Sequence, residues 1–481
     1  MLLSLIICNK IMKNKVLKAG GISVFSTILI KGINYFTLPI FIRIMPKDDY
    51  GNYSSFLSYI SIFSVFLSFG IHGLQKAVKT DLKDELNSFI SFSFLFCGAI
   101  SIVFFGIIAA FVFDLYFSII VTTASYIQLI INIYSCKLSV HFEYKKNFII
   151  SVFHSIGVIS LSLLLIQISF FQNTYLDRVY SLIFIDGIIA IIISCYIFLH
   201  ADWNCIKNNF IKYLKYIIKL GGPLVLYLIS NSLLMQFDQI MILSFCGAES
   251  VANYSFAHTF HVILLTLYCS VEPTYSAWKL QTIEKEENLK SKTISSLLFC
   301  LLVFFGIGIM TFAPELVLII GGEKYEDSSS LIIPFVMTVF LICLYGFYTE
   351  IEYYKRETKL MALPTIFVAV LNVILNRVFI PIYGYKIAAY TTVFSYFILV
   401  MIHLFISKKL FDTKKVYDEW IIWLITVFSI IIAIFDYLCR NMLMFRILSL
   451  IFFFCIIVLI LCCKYKKIIS SYLPFKEKSR I

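Results

Sequence analysis

Lys31 lies about halfway along an apolar run that covers residues 19–42. A helix that spans a bilayer needs ~20 predominantly apolar residues, so this run is long enough to cross one. From that depth a lysine cannot easily reach either headgroup layer, and its charge costs about 2.5–3.5 kcal/mol on insertion scales. Lys31 therefore favours a site that attracts an anionic ligand. The alternative is an ion pair with a carboxylate on a neighbouring helix, such as Asp238.

Three further polar residues complete a predicted ligand-binding set with Lys31. Asn34 comes three residues later and therefore shares its helical face. Arg43 lies at the far end of the same run, where its side chain could also extend to the headgroup layer. Asn231 lies in a second apolar run, and we include it because it is two helical turns from a buried acid.

That acid is Asp238, which has Gln236 and Gln239 beside it. Together with Asn231 these residues form a polar stripe along the run 220–244. A carboxylate inside a membrane helix could bind a proton or a sodium ion, or could instead hold two helices together by a hydrogen bond. We assign Asp238 to ion binding.

Asp186 is a second embedded acid, and we also assign it to ion binding. Glu272 lies near a predicted membrane boundary, so an interfacial position explains it. His258 and His261 share a helical face and could titrate near neutral pH, although simple hydrogen bonding explains them as well.

The composition defines the class of protein. Of 481 residues, 60% are hydrophobic, 17% are aromatic and only 14% are charged, which is typical of a polytopic membrane protein. The thirteen cysteines lie mostly in apolar runs and show no metal-ligand spacing, so we predict neither a metal site nor a cofactor.

Apolar runs bounded by charged or turn residues predict an all-α fold with fourteen transmembrane helices. The predicted helices cover residues 19–42, 52–71, 88–112, 115–136, 147–170, 178–199, 220–244, 252–274, 293–313, 328–348, 360–380, 385–406, 419–438 and 443–463.

The loops between these helices alternate in charge. With the N-terminus in the cytoplasm, 31 of the 40 Lys and Arg residues fall on the inner side, so both termini are predicted to be cytoplasmic. The net charge of +12 then reflects lysines beside anionic lipid, and no nucleic-acid partner is needed to explain it.

The chain also repeats itself. When it is shifted by 201 residues, residues 18–54 align with 219–255 without a gap, and nine positions are identical. Six predicted helices separate the two segments, so the halves share one orientation and form a parallel repeat. We predict a six-helix N-terminal lobe over 1–200 and a six-helix C-terminal lobe over 201–410. Residues 411–481 add two helices and a basic cytoplasmic tail.

Several short motifs occur in a fixed order along the chain. They are Arg43-Ile-Met-Pro, Asp49-Tyr-Gly-Asn-Tyr, Phe69-Gly-Ile, Gly222-Pro, Ala252-Asn-Tyr-Ser, Gly321-Gly-Glu-Lys-Tyr, Asn372 with Asn376, and Ile380-Pro-Ile-Tyr-Gly-Tyr. In this order they resemble the polysaccharide and O-antigen flippases (Wzx-type) of the MOP superfamily, which also includes the MATE exporters and the lipid II flippases. The resemblance covers about residues 15–410.

The resemblance implies a transporter that flips an undecaprenyl-diphosphate-linked oligosaccharide across the bacterial inner membrane by alternating access. It implies no catalytic residue, and it favours a packing role for Asn372 and Asn376. The expected partners are the lipid-linked oligosaccharide, membrane lipids and a polysaccharide polymerase with its chain-length regulator.

Two alternatives remain open. A MATE-like exporter of small cations would have an acidic cavity rather than a central lysine. An O-antigen polymerase would be an enzyme with large outer loops, and the sequence has no such loops and contains an internal repeat instead. The sequence also has no phosphate-binding Gly-x-x-x-x-Gly-Lys-Ser/Thr motif, so we do not expect the chain to hydrolyse ATP itself.

Overall fold

A computed structural model describes residues 32–472 except 34, 36, 72, 73, 75–77, 79, 80, 83, 84, 142 and 172. Two of the predicted binding residues, Lys31 and Asn34, lie outside the described residues. Within the described part of the chain every regular element is helical, and no strand occurs. The predicted all-α class is therefore confirmed.

The helices are labelled here in chain order. Residues 37–44 are helical and precede the first labelled helix. The first seven are α1 (Lys47–Leu67), α2 (Leu86–Phe111), α3 (Leu115–Val140), α4 (Tyr144–Ile168), α5 (Thr174–Leu199), α6 (Trp203–Tyr216) and α7 (Gly222–Cys246). The remainder are α8 (Ala248–Glu284), α9 (Asn288–Thr311), α10 (Ala313–Gly321), α11 (Ser329–Tyr354), α12 (Thr358–Tyr383), α13 (Ile387–Leu410), α14 (Thr413–Val416), α15 (Glu419–Leu438) and α16 (Leu443–Tyr472).

Eleven of the described helices are long and apolar enough to cross a membrane. Two more, α1 and α16, coincide with predicted spans, and the first predicted span lies largely outside the described residues. The fold therefore fits the predicted polytopic protein of about fourteen transmembrane helices.

Three of the labelled helices were not predicted, namely α6, α10 and the single-turn α14. Helix α6 is amphipathic and begins where the Asp202 side chain accepts hydrogen bonds from the backbone N–H groups of Asn204 and Cys205, both at 3.1 Å. Helix α10 is short and ends at Gly322, whose φ of +72° is a left-handed conformation that favours glycine.

The chain divides into two compact units, residues 1–252 and 253–481. In the first unit α1 is central and packs against α3, α5 and α7, while α4 packs along α5. The backbone of α1 approaches the start of α8 so closely that a Cβ on Gly51 would lie 1.9 Å from the carbonyl oxygen of Ala248.

In the second unit α11 is the core helix, and it packs against α9, α12 and α13. Its side chains from Leu331 to Ile351 are almost all buried. The buried guanidinium of Arg446 on α16 binds the Glu315 carboxylate of α10 at 2.5 and 3.0 Å and also contacts the carbonyl oxygen of Thr311. A paired carboxylate stabilises this arginine, because a buried guanidinium without a counter-charge is costly.

Candidate functional site

Arg43 lies near the end of the helical stretch 37–44, and its side chain is exposed. A few residues further on, the ammonium of Lys47 lies 3.2 Å from the carboxylate of Glu249. An exposed position is compatible with contact to an anionic ligand or to lipid headgroups, so both interpretations of Arg43 remain predictions.

Asp186 is buried between α4 and α5, with 1% of its side chain exposed. His154 Nδ1 lies 2.5 Å from Asp186 Oδ1, and the imidazole of His154 is 35% exposed. Among the described residues Asp186 Oδ2 has no hydrogen-bond partner. The pair thus joins a buried carboxylate on α5 to a partly exposed imidazole on α4.

Arg178 lies on the same helix as Asp186, two turns towards its N-terminus. Its guanidinium carbon is 4.0 Å from the ring centroid of Phe41 and 3.8 Å from that of Tyr53. Cation–π contacts of this kind stabilise a partly desolvated arginine. This cationic group was not selected from the sequence, because Arg178 is the first residue of the predicted helix 178–199 and therefore lies at a predicted membrane boundary.

Asp238 and Gln239 on α7 are both buried, at 4% and 5% exposure, and Asn231 is half-buried. Ser58 of α1 donates a hydrogen bond to Gln236 Oε1 at 3.3 Å, so the polar stripe on α7 faces α1 at this point. Buried polar side chains in a membrane helix either bind a ligand or connect helices. The contact between Ser58 and Gln236 is of the second kind.

Asn372 and Asn376 connect α12 to α13. Asn372 Nδ2 donates to the hydroxyls of Thr392 and Ser395 at 3.3 Å, and the Thr391 hydroxyl donates to Asn376 Oδ1. The two asparagines also bond to each other at 3.3 Å. These contacts agree with the packing role that the family resemblance favours.

The motif residues near Gly384 hold the second unit together. Asn253 Nδ2 donates to the Tyr385 hydroxyl at 3.3 Å, and Asn253 Oδ1 accepts from Ser328 at 3.3 Å. Gly384 has a φ of +77°, which lets α12 end and places Tyr385 at this contact. Two residues of different motifs, Asn253 and Tyr385, are therefore joined by a hydrogen bond within the second unit.

The second unit contains several buried ionisable groups that the sequence analysis did not select, among them Glu352, His403 and Lys279. Glu352 accepts from His403 Nδ1 at 2.9 Å, and both side chains are fully buried. The Lys279 ammonium donates to Ser291, Ser295 and the carbonyl oxygen of Val416 at 2.6–3.0 Å. Glu352 and Lys279 lie beyond the ends of the predicted helices 328–348 and 252–274, so the signal that identified Lys31, a charge in the middle of an apolar run, was absent for both.

The two histidines of α8 have mutual contacts instead of an acidic partner. The rings of His258 and His261 stack with centroids 5.0 Å apart, and His261 Nδ1 lies 3.1 Å from the Phe335 carbonyl oxygen. The described residues contain no cluster of three or more His, Cys, Asp or Glu that could hold a metal ion.

The sequence model that describes polysaccharide biosynthesis proteins matches residues 16–271, which is more than half of the chain. The chain belongs to the polysaccharide biosynthesis protein family. The resemblance inferred from the ordered motifs is thereby confirmed. No curated relative matches the sequence.

Solved structures show which fold this family member has. The lipid II flippase MurJ in an inward closed conformation is similar with a TM-score of 0.63 at 15% identity, covering 95% of this chain and 99% of that one. An inward-facing multidrug resistance MATE family transporter is similar with a TM-score of 0.58 at 13% identity, and the match covers 80% of this chain and 97% of the transporter. A MOP superfamily transporter from Pyrococcus furiosus is similar with a TM-score of 0.55 at 13% identity, and the match covers 82% of this chain and 95% of the transporter. This polysaccharide biosynthesis protein is therefore a multi-pass membrane protein with the fold of MOP superfamily flippases and transporters.

Proposed function

We infer that the protein moves an undecaprenyl-diphosphate-linked oligosaccharide, an O-antigen or similar repeat unit, from the inner to the outer leaflet of the bacterial inner membrane. One observation supports this proposal above all: the chain belongs to the polysaccharide biosynthesis protein family and also has a fold similar to that of a lipid II flippase. A diphosphate-linked lipid is a dianionic cargo, and the predicted binding residues include two cations, Lys31 and Arg43.

In this proposal the transport step is alternating access and involves no covalent chemistry. Lys31, Asn34, Arg43 and Asn231 bind the diphosphate and the sugar that follows it. The cargo is supplied by membrane-bound glycosyl transfer and consumed by a polymerase with its chain-length regulator. Both termini are proposed to be cytoplasmic.

Asp238 and Asp186 are proposed to couple transport to a proton or sodium gradient. Both carboxylates are buried, and Asp186 has an imidazole partner with partial access to the surroundings. In this proposal, binding of the ion at Asp238 or Asp186 and binding of the anionic cargo at Lys31 exclude each other. The ion and the cargo then cross the membrane in opposite directions, which is antiport.

A second candidate function is the export of small cations, as in MATE transporters. It is favoured by the buried acids Asp186 and Asp238 of the first unit and by the likeness to MATE structures. A cation exporter needs a negative binding cavity, so a required Lys31 would argue against it.

Deletion of the gene tests the proposal in the cell. We expect loss of the surface polysaccharide and accumulation of lipid-linked repeat units on the inner leaflet. Unchanged polysaccharide together with increased sensitivity to cationic drugs would favour the exporter instead.

A further inference from the structure

A groove runs between α3, α4 and α5 on the first unit, and none of the residues discussed as a cargo or ion site lines it. Its volume is about 440 Å³, which lies within the ~300–1,000 Å³ typical of small-molecule sites. Its walls are apolar and include Ile149, Phe153, Ile189 and Ile192. Ile149, Phe153 and Ile192 are at least half exposed, as expected for side chains that face lipid tails.

One end of this α3–α5 groove is polar. Tyr134, Lys146 and Tyr196 line it there. Tyr134 is near the C-terminal end of α3, Lys146 near the start of α4, and Tyr196 near the end of α5. All three positions therefore lie at the same membrane boundary, which we predict to be the cytoplasmic one.

A second lysine stands at this polar end. The ammonium of Lys137 is 5.8 Å from the ring centroid of Tyr134 and 5.7 Å from that of Tyr196. Among the described residues it has no carboxylate partner within ion-pair distance. Lys137 is thus a half-buried cation whose ammonium lies near two aromatic rings and, with no carboxylate within ion-pair distance among the described residues, can bind an anion.

Lys146 does have an acidic partner, since its ammonium lies 2.5 Å from Glu143. Both side chains are largely in solvent, with 61% and 41% exposure. Water screens such an exposed pair strongly, so a phosphate can replace the carboxylate at little cost. The groove therefore combines two available lysines at headgroup height with an apolar channel at the depth of the lipid tails.

We propose that the α3–α5 groove is a binding site for an anionic glycerophospholipid. The phosphodiester binds between Lys137 and Lys146, and the first part of one acyl chain lies along Ile149, Phe153 and Ile192. Basic pockets between transmembrane helices on the cytoplasmic side bind lipid head groups by this charge complementarity. The walls extend over about two helical turns, or ~10 Å, which suits the upper part of an acyl chain.

The charge requirement is tested on the full chain in detergent micelles by native mass spectrometry with phosphatidylglycerol and phosphatidylcholine. Lys137→Met keeps an unbranched apolar side chain near the two tyrosine rings and removes the positive charge. We expect it to weaken phosphatidylglycerol binding about fivefold, the equivalent of ~1 kcal/mol for one lysine near an anionic surface. The matched control is Lys145→Met, because Lys145 is an exposed neighbour that does not line the groove.

The apolar part of the site is tested by filling it. Ile192→Trp puts a bulky ring into the channel, whereas Ile191→Trp adds the same ring to a neighbouring exposed position outside it. We expect only the first substitution to reduce binding. This pair remains informative if the lysine variant fails to fold.

Three results would overturn the proposal. Equal affinity for the anionic and the zwitterionic lipid would remove the charge argument. Equal effects of the groove variants and their controls would show that binding occurs elsewhere. Tighter binding of undecaprenyl phosphate than of phosphatidylglycerol would assign the groove to the carrier lipid instead.

Discussion

At the scale of single residues, the unusual property of this protein is the number of ionisable side chains buried in helices that cross a membrane. Asp186 and Glu352 each have a histidine partner, at 2.5 and 2.9 Å. A buried charge is tolerated when it is paired, and removal of one partner of a buried pair is strongly unfavourable. The pairing of Asp186 could not be predicted, because the sequence does not show which helices are neighbours.

Lys31 carries the proposal that the cargo is anionic. Replacing it with alanine is expected to abolish or strongly reduce surface polysaccharide while the protein still reaches the membrane. Arginine at this position should restore transport at least partly, because charge is the requirement. The measurements are surface polysaccharide and membrane protein level in the same cells. Normal export by Lys31→Ala would refute the role, and loss of the protein itself would make the lysine structural.

The buried acids carry the proposal of ion coupling. Asp238→Asn and Asp186→Asn are each expected to lower gradient-driven flux about tenfold, or ~1.4 kcal/mol, while Asp238→Glu keeps part of it. The reason is that a carboxamide is neutral and does not ionise, so it can neither take up and release a proton as a carboxylate does nor attract a cation by its charge. The measurement is flux into vesicles with an imposed proton or sodium gradient.

A suitable control for these variants is Asp114→Asn, since Asp114 caps α3 and asparagine caps helices equally well. The flux of wild type and of Asp238→Asn is compared at several gradients. Equal gradient dependence in both would leave Asp238 as a helix-packing residue.

At the scale of secondary-structure elements, fourteen membrane helices were predicted from the apolar runs, and thirteen of them coincide with helices among the described residues. The agreement is good because uninterrupted hydrophobicity is a strong signal. The boundaries of α8 were the least accurate, since this helix continues through Pro273 to Glu284. Helix α6 was missed because its polar face made the segment resemble a basic loop. Close backbone contacts such as that of Gly51 depend on which helices cross, and this information is absent from a single sequence.

The contact of α1 with the start of α8 gives a prediction for Gly51. Alanine there would put a Cβ 1.9 Å from a backbone oxygen, so one helix must shift. Overpacking of this kind costs about 1–3 kcal/mol, and we expect a lower temperature of unfolding for Gly51→Ala in detergent. Gly106→Ala is the matched control, because a Cβ on Gly106 meets nothing within 4 Å. Identical unfolding of the two variants would show that this crossing is loose.

Helix α6 is held to the loop before α2 by Glu85, and this contact predicts a pH effect. Lys212 donates to Glu85 at 2.9 and 3.0 Å and Tyr213 at 3.0 Å, and these hydrogen bonds lower the pKa of Glu85 from its ordinary value of 4.5. A lowered carboxyl pKa stabilises the folded contact above the ordinary value, and that stability is lost as the pH falls through the lowered pKa.

We therefore expect amide exchange in α6, corrected for its intrinsic pH dependence, to increase below about pH 4.5. Glu85→Gln should show this increase already at pH 7, by up to about fivefold, since surface pairs contribute ~0.2–1 kcal/mol. Glu287→Gln, which breaks a similar exposed pair with Lys290, should leave α6 unchanged. A corrected exchange rate in α6 that does not change with pH would contradict the proposal that Glu85 holds α6 in place.

At the scale of the whole molecule, composition and loop charge define a multi-pass membrane protein, and the ordered motifs define its family. The polysaccharide biosynthesis family and the MOP superfamily fold agree with both inferences. The chemical nature of the sugar is not encoded in any motif, because abundant Tyr and Phe residues single out no sugar-binding platform. The proposed lobes and the orientation of the termini remain predictions from the internal repeat and the 31 inner basic residues.

Flipping by the purified protein tests the central claim most directly. The full chain is reconstituted into vesicles that contain an undecaprenyl-diphosphate oligosaccharide in both leaflets, and a membrane-impermeant glycosidase is added outside. We expect complete digestion of the sugar in vesicles with the wild-type protein and digestion of only the outer-leaflet pool in vesicles with Lys31→Ala or without protein. The same partial digestion in all three preparations would contradict the proposal that this protein is a lipid-linked oligosaccharide flippase.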